Sequence, residues 1–291
     1  MGASGAARVS IHATHAQMNG WRAELALDFD STPIGTRLAS RRHLGPLVVQ
    51  RPLYPEGADV CHAIVVHPPG GIAGGDSLEL DVTACAEAHA LLTTPGASKL
   101  YKSAGRKAAQ RVRLRSRDRA CIEWLPQETI VFDAADASLA LDIDVAANAT
   151  VIAWEIVSLG REAMGERFES GRLRTRATVR RDDRIVLFEA GEVTGSSPWL
   201  DSPVGWRSAR TCGTFLVCGP AIDEVMLQAS RASLEPWIGV AAVSRVTPTL
   251  LAARYLGASA ADARAAFVAM WTQVRPAAAG RDAVRPRIWA T

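Results

Sequence analysis

The sequence predicts a mostly β protein: a single domain of layered antiparallel or mixed β-sheets over residues 1–291, with about two α-helices toward the C-terminus. Three observations predict it. Several stretches in the first two-thirds alternate apolar and polar residues with period two, which turns one strand face to a core and the other to water. The breaks between them are short and rich in Gly, Pro, Asn and Asp, as at residues 54–57, 94–96 and 181–183. The last third exchanges that alternation for three- and four-residue spacing, the period of a helix face.

Residues 23–28, 110–115 and 139–145 are the two-faced strands. Residues 63–66 and 150–154 are apolar throughout and read as central strands buried on both faces. Residues 221–234 lack alternation and consist of helix formers. From residue 260 to 274, Ala263, Phe267, Met270, Trp271 and Val274 share one helical face, and Pro276 is expected to stop that helix. Between these helices, residues 249–256 read as a returning strand. No fixed-period repeat is present, so a solenoid built from sequence repeats is not expected, and no linker separates two domains.

At 48% hydrophobic, the chain carries ample material for a core. A charged fraction of 22% and a net charge of +3 point neither to disorder nor to a nucleic-acid or membrane partner. The basic residues are nearly all arginine; the lysines are Lys99, Lys102 and Lys107. Arginine- and alanine-rich usage reads as coding bias, although arginine's planar fork also suits protein interfaces. Cys61, Cys85, Cys121, Cys212 and Cys218 form no CxxC pair, and five scattered cysteines suit reduced thiols. Residues 1–8 are small and polar and read as a flexible start without a signal peptide. No stretch reaches the roughly 18 apolar residues of a membrane span. The cytoplasm is the expected compartment.

The segment from His67 to Ser77 holds Gly70, four residues, then Gly75, nearly a phosphate-binding loop. Asp76 stands where that loop needs lysine and would repel phosphate. Residues 78–82 alternate like a strand where a helix should open. The segment therefore reads as a glycine-rich turn that lets backbone approach closely. His12 and His15 on a strand would face opposite ways, a poor metal pair. Cys61, His62 and His67 offer soft ligands, but each also reads as a core residue. Neither GxSxG nor HExxH occurs, and Ser98 misses the SxxK spacing to Lys102. Glu128, Asp133, Glu155, Glu162, Glu166, Glu189 and Glu192 show no acid–base pair by spacing. Arg111, Arg113, Arg115, Arg117 and Arg119 mark a basic strand face without the interleaved aromatics that stack on nucleic acid. That face reads as solvated or as a protein contact.

Several blocks follow one another along the chain. Gly45-Pro46-Leu47 precedes a run containing Arg51, Pro52, Tyr54, Pro55 and Glu56. The glycine segment with Gly70, Gly74, Gly75 and Asp76 follows. Next come residues 93–101, with Gly96, Lys99 and Tyr101. The most specific block is residues 123–133, with Pro126, Gln127, Glu128 and Asp133. Glu155 with Gly160-Arg161 and Gly165-Glu166 comes next, and the chain closes on residues 285–291, with Pro286, Arg287 and Trp289. In their order and spread these blocks resemble the urease accessory proteins of the UreD/UreH family.

The resemblance implies a largely β fold with two helices and a non-enzymatic role. It implies binding to the urease apoprotein and to a UreF-type partner, which recruits a UreG-type GTPase. It also implies delivery of nickel to the urease active site through an internal tunnel. No tightly bound cofactor is expected; nickel is bound transiently. A nickel ion in transit needs weak oxygen or imidazole donors, because thiolates would hold it. Asp76, Glu128, Asp133, Glu155, Glu192 and His67 are the candidate donors, with Thr94 and Ser98 as neutral oxygens. Glu192 lies outside the blocks and is chosen only as an acid ending an apolar strand. The plain alternative for each acid is an ordinary salt bridge to a nearby arginine, or a turn or capping role. A His-rich tail is lacking, so storage is not expected. Two alternatives stay open: a β-sheet hydrolase whose site converges only in three dimensions, and a nucleic-acid module using the arginine face, with steeply salt-dependent binding.

Overall fold

The computed structural model describes residues 20–161, 164–219, 221–237 and 239–290. Residues 1–8, His12, His15 and Glu162 lie outside the described residues. Strands are numbered in chain order. One sheet has seven strands in the order β14-β13-β11-β8-β5-β1-β2. These are β1 (Arg22–Thr32), β2 (Gly35–Leu44), β5 (Ser77–Ala84), β8 (Ala108–Ser116), β11 (Asp136–Val145), β13 (Arg172–Arg181) and β14 (Arg184–Thr194). The second sheet runs β16-β17-β15-β12-β9-β6-β4-β3. Its strands are β3 (Val48–Val49), β4 (Val60–Val66), β6 (His89–Thr93), β9 (Cys121–Trp124), β12 (Thr150–Leu159), β15 (Thr211–Cys218), β16 (Val240–Thr247) and β17 (Leu250–Gly257). Two short strands, β7 (Ser98–Leu100) and β10 (Thr129–Val131), join it beside β12.

From β4 to β13 the chain coils, visiting the two sheets in turn. Each circuit lays a new strand next to the one before it, so these neighbours are parallel. A parallel pair needs a crossover, and here a strand of the opposite sheet supplies it. Antiparallel hairpins close the first sheet at both edges, β1 with β2 and β13 with β14. The second hairpin turns at Asp182-Asp183, both with positive φ (49° and 61°).

The two strand patterns in the sequence correspond to the two sheets. β5 and β8 alternate buried and half-exposed residues because the first sheet has one wet face. β4, β6 and β9 are buried almost throughout, because the second sheet lies between the first sheet and the helices. One core fills the space between the sheets, around Leu25, Leu80, Leu114 and Ile143. The other joins Trp154, Phe215, Phe267, Met270 and Trp271 under the helices.

Helix α1 (Glu224–Leu234) is capped by Asp223, which accepts the Met226 N–H at 2.7 Å. Helix α2 (Ala260–Ala279) is capped by Ser259, which accepts the Asp262 N–H at 3.1 Å. Pro276 does not stop α2; it lies inside it. The proline forfeits one N–H, but Arg275 and Ala278 on either side are buried and hold the last turn down. The helix ends at Gly280 with φ 68°.

The arginine face of β8 is neutralised. Arg111 meets Asp142 at 2.7 Å, Arg113 meets Glu79 and Asp81 at 2.8 and 2.9 Å, and Arg115 meets Asp81 at 3.3 Å. Acids from the flanking strands β5 and β11 thus stand opposite the basic strand, which leaves little free positive potential for phosphates. Asp142 is only 4% exposed and also takes Arg176 at 3.0 Å. Asp142→Asn, which keeps the shape and removes the charge shared by two guanidiniums, is expected to lower unfolding free energy by about 2 kcal/mol in urea titrations.

Candidate functional site

The inter-sheet core is interrupted by a cavity of about 260 Å³. His67 and Gly70 from the end of β4, residues 94–99, Trp124 to Gln127 (except Leu125), and Glu155 on β12 line it. Hydrogen bonds fix these loops. The Ser98 N–H donates to the Glu128 carbonyl at 2.9 Å, and the Gln127 N–H to Thr94 Oγ1 at 2.9 Å. The glycine segment is tied down by Asp76, whose carboxylate accepts the Ala73 and Trp21 N–H groups, each at 2.8 Å. Gly71 backs onto the Tyr101 ring, where a Cβ would sit 2.2 Å from a ring carbon.

Two buried polar atoms on this cavity's lining residues stand out. His67 Nε2 and Trp124 Nε1 are buried without a hydrogen-bond partner among the described residues. Burial holds His67 below the ordinary imidazole value, partly offset by nearby Asp76, so the ring is neutral with a lone pair at pH 7. Burial alone pushes Glu155 up to about 7, so it exchanges a proton near neutrality. Burial, and then Glu155, push Cys212 up to about 12, so no thiolate forms beside it. The donor set offered to a cation is therefore imidazole and carboxylate, without a soft anion.

A second cavity, of about 440 Å³, lies across β10. Thr129 lines the first, whereas Glu128 and Ile130 line the second, with Ser158, Arg161 and Arg210. Alternation along the strand explains the division. Glu128 also stands 4.0 Å from Arg264 of α2.

The other candidate donors are elsewhere. Asp133 accepts the Glu169 and Ser170 N–H groups at 2.9 and 2.7 Å. Burial would raise its pKa, but the backbone donors more than offset that and hold it below the usual range. Glu192 pairs with Arg172 and Arg174, at 3.6 and 2.8 Å, near the edge of the first sheet. The structure thus brings His67, Glu155, Thr94 and Ser98 together, puts Glu128 behind β10, and employs Asp76 and Asp133 as backbone acceptors.

A buried polar cluster went unread in the sequence. His89, Cys121 and Glu123 place their ligand atoms within 4.8 Å of one another. Glu123 accepts His89 Nε2 at 2.7 Å, Trp271 Nε1 at 2.6 Å, and Arg275 through Nε at 3.0 Å to both oxygens. Two carboxylate oxygens offer about four acceptor positions, and these are taken. With Arg275 already seated there, a metal cation finds neither lone pair nor favourable field. The sequence signal was an acid in the apolar run 121–125, and an arginine one helical turn beyond Trp271 on the buried face of α2.

Residues 21–290 match the family model for UreD urease accessory protein. The chain belongs to the UreD urease accessory protein family. Among curated UreD proteins, that of Azoarcus sp. (strain BH72) is 47% identical over 282 residues, covering 97% of this chain and 98% of the relative. UreD of Dechloromonas aromatica (strain RCB) is 48% identical over 274 residues, covering 93% and 95%. UreD of Pseudomonas aeruginosa PAO1 is 44% identical over 271 residues, with the same shares. Residues from distant blocks meet in the fold: Glu56 and Glu123 share Arg275, at 2.7 and 2.9 Å, and Trp289 Nε1 donates to Thr93 Oγ1 at 2.8 Å. Among the described residues, no helix of this UreD-family chain is long and apolar enough to cross a membrane.

Proposed function

We propose that the chain is a non-catalytic urease maturation subunit acting in the cytoplasm. It binds the urease apoprotein and a UreF-type subunit, works with a UreG-type GTPase, and passes nickel toward the urease active site. Family membership across residues 21–290 carries this reading. The cavity supports the nickel step. His67 and Glu155 are hard or borderline donors, few in number, in a chamber that holds no thiolate. Such a site binds a divalent cation well enough to enter and weakly enough to leave. Glu128, Ser158 and the second cavity extend the path across β10. Asp76 supports the path indirectly, by shaping the glycine segment and raising the affinity of His67 for positive charge. Asp133 and Glu192 have structural partners that account for them.

The test is urease purified from cells that carry the urease operon, with and without this gene. Deletion is expected to leave urease protein abundant but nickel-poor and inactive. Fully loaded urease without the gene would sink the reading.

A further inference from the structure

The chain's three lysines all lie in residues 99–107. This segment runs along the glycine segment: Ile72 donates its N–H to the Lys99 carbonyl at 2.7 Å, Tyr101 donates back to Ile72 at 2.9 Å, and Gly75 donates to Lys107 at 3.2 Å. Their outer surface is continuous with the rim of the first cavity, which His67, Gly70 and residues 94–99 form. Pro68, Pro69, Gly70, Gly96, Tyr101, Lys102 and Lys107 are exposed there.

Two features set this surface apart. First, the arginines on the outer face of β8 are paired with acids, whereas among the described residues none of the three ammonium groups has a carboxylate within 4.0 Å. Second, Gly96 has no internal reason to be glycine. Its φ is not left-handed, and among the described residues nothing lies within 4 Å of where a Cβ would stand. A flat, side-chain-free step beside unpaired cations and an exposed tyrosine suits a protein interface whose other side is acidic. Stacked bases are a poorer occupant, because the Tyr101 ring already packs on Phe132 (centroids 5.1 Å apart) and on Gly71.

We propose that residues 68–70, Gly96 and residues 101–107 dock an acidic face of a protein partner within the urease maturation assembly. This rests on the maturation reading. An acidic face would also neutralise lysines that otherwise oppose the passage of a divalent cation at this rim.

The lysine count makes the test direct. The complex recovered from cells carrying the urease operon, and the isolated chain, are treated with an amine-acetylating reagent, and modification is mapped by mass spectrometry. Lys102 and Lys107 are expected to react about tenfold more slowly in the complex, as buried interface charges should. In parallel, Lys102→Glu with Lys107→Glu is expected to lower complex recovery about tenfold without changing the unfolding midpoint, since neither side chain has a partner among the described residues. Arg37→Glu, an exposed charge on β2, serves as the control and should leave recovery unchanged. A complex that forms normally with both lysines fully reactive overturns the proposal and leaves the maturation reading standing. Failure of the wild-type chain to bring down any urease or accessory subunit overturns both.

Discussion

Arg275→Leu is expected to cost the fold about 3–5 kcal/mol, the usual penalty for stranding a buried charge. Arg275 is fully buried on α2 and holds two carboxylates at once: Glu123 at 2.9 Å and Glu56 at 2.7 Å. Its guanidinium also lies 5.1 Å from the Trp271 ring centre. Leucine fills much of the volume but removes the cation that Glu56 and Glu123 share. His62, at 2.6 Å from Glu56, and His89, at 2.7 Å from Glu123, compensate only when protonated. Arg275→Lys should recover little, because one ammonium cannot reproduce the fork. Adding Glu123→Leu to Arg275→Leu should recover part of the loss, the signature of a coupled pair. Urea titrations measure each variant; a loss under about 1 kcal/mol would show that the cluster does not bind α2 to the second sheet.

The same cluster sets a pH window. Burial opposes ionisation of Glu123, but His89 and Arg275 more than offset it, so its folded pKa lies below the ordinary value of 4.5. That stability is present above pH 4.5 and is lost as pH falls through the folded value. Burial opposes protonation of His89, but Cys121 and Glu123 dominate and raise its pKa above 6.5. That stability is complete below pH 6.5 and is lost as pH rises through the folded value. The cluster therefore contributes most between these two limits. Arg275→Leu should flatten the acid side of the profile of unfolding midpoint against pH.

Glu155→Gln is expected to separate function from stability. Because burial raises the Glu155 pKa to about 7, the carboxylate penalises the folded state increasingly from pH 4.5 to about 7 and constantly above. Glutamine removes the penalty, so at pH 8 the variant should be more stable, by as much as about 3 kcal/mol. Nickel loading of urease should nevertheless fall toward the level of the deletion strain, since an amide is a far weaker cation ligand. A stabilised variant that still loads urease fully would remove Glu155 from the path. A destabilised one would show that its charge is compensated inside the fold.

Much of the architecture was legible because its cause is local. Alternation at residues 110–115 and 139–145 reports a strand with one wet face, and the unbroken apolar runs at 63–66 and 150–154 report burial on both faces. Both hold whatever the neighbouring strands are. Pro276 was misread because local chemistry was the wrong scale: packing around Arg275 and Ala278 carried the helix past it. Among the candidate donors, residue type alone made Asp133, Glu155 and Glu192 equivalent. Their surroundings made them a backbone acceptor, a raised carboxyl in a cavity and an edge ion pair.

The sequence by itself determined the β class with strands such as those at 110–115 and 139–145, the two C-terminal helices and the family, because periodicity, turn residues and ordered motif blocks are written along one dimension. Only the tertiary structure decided that successive strands coil between two sheets in parallel register, since no repeat in the sequence marks that path. It also decided that Glu123 meets Arg275, 152 positions away. Pairing across such separations depends on which strand lies beside which and on the burial that results, and these are properties of the packed chain.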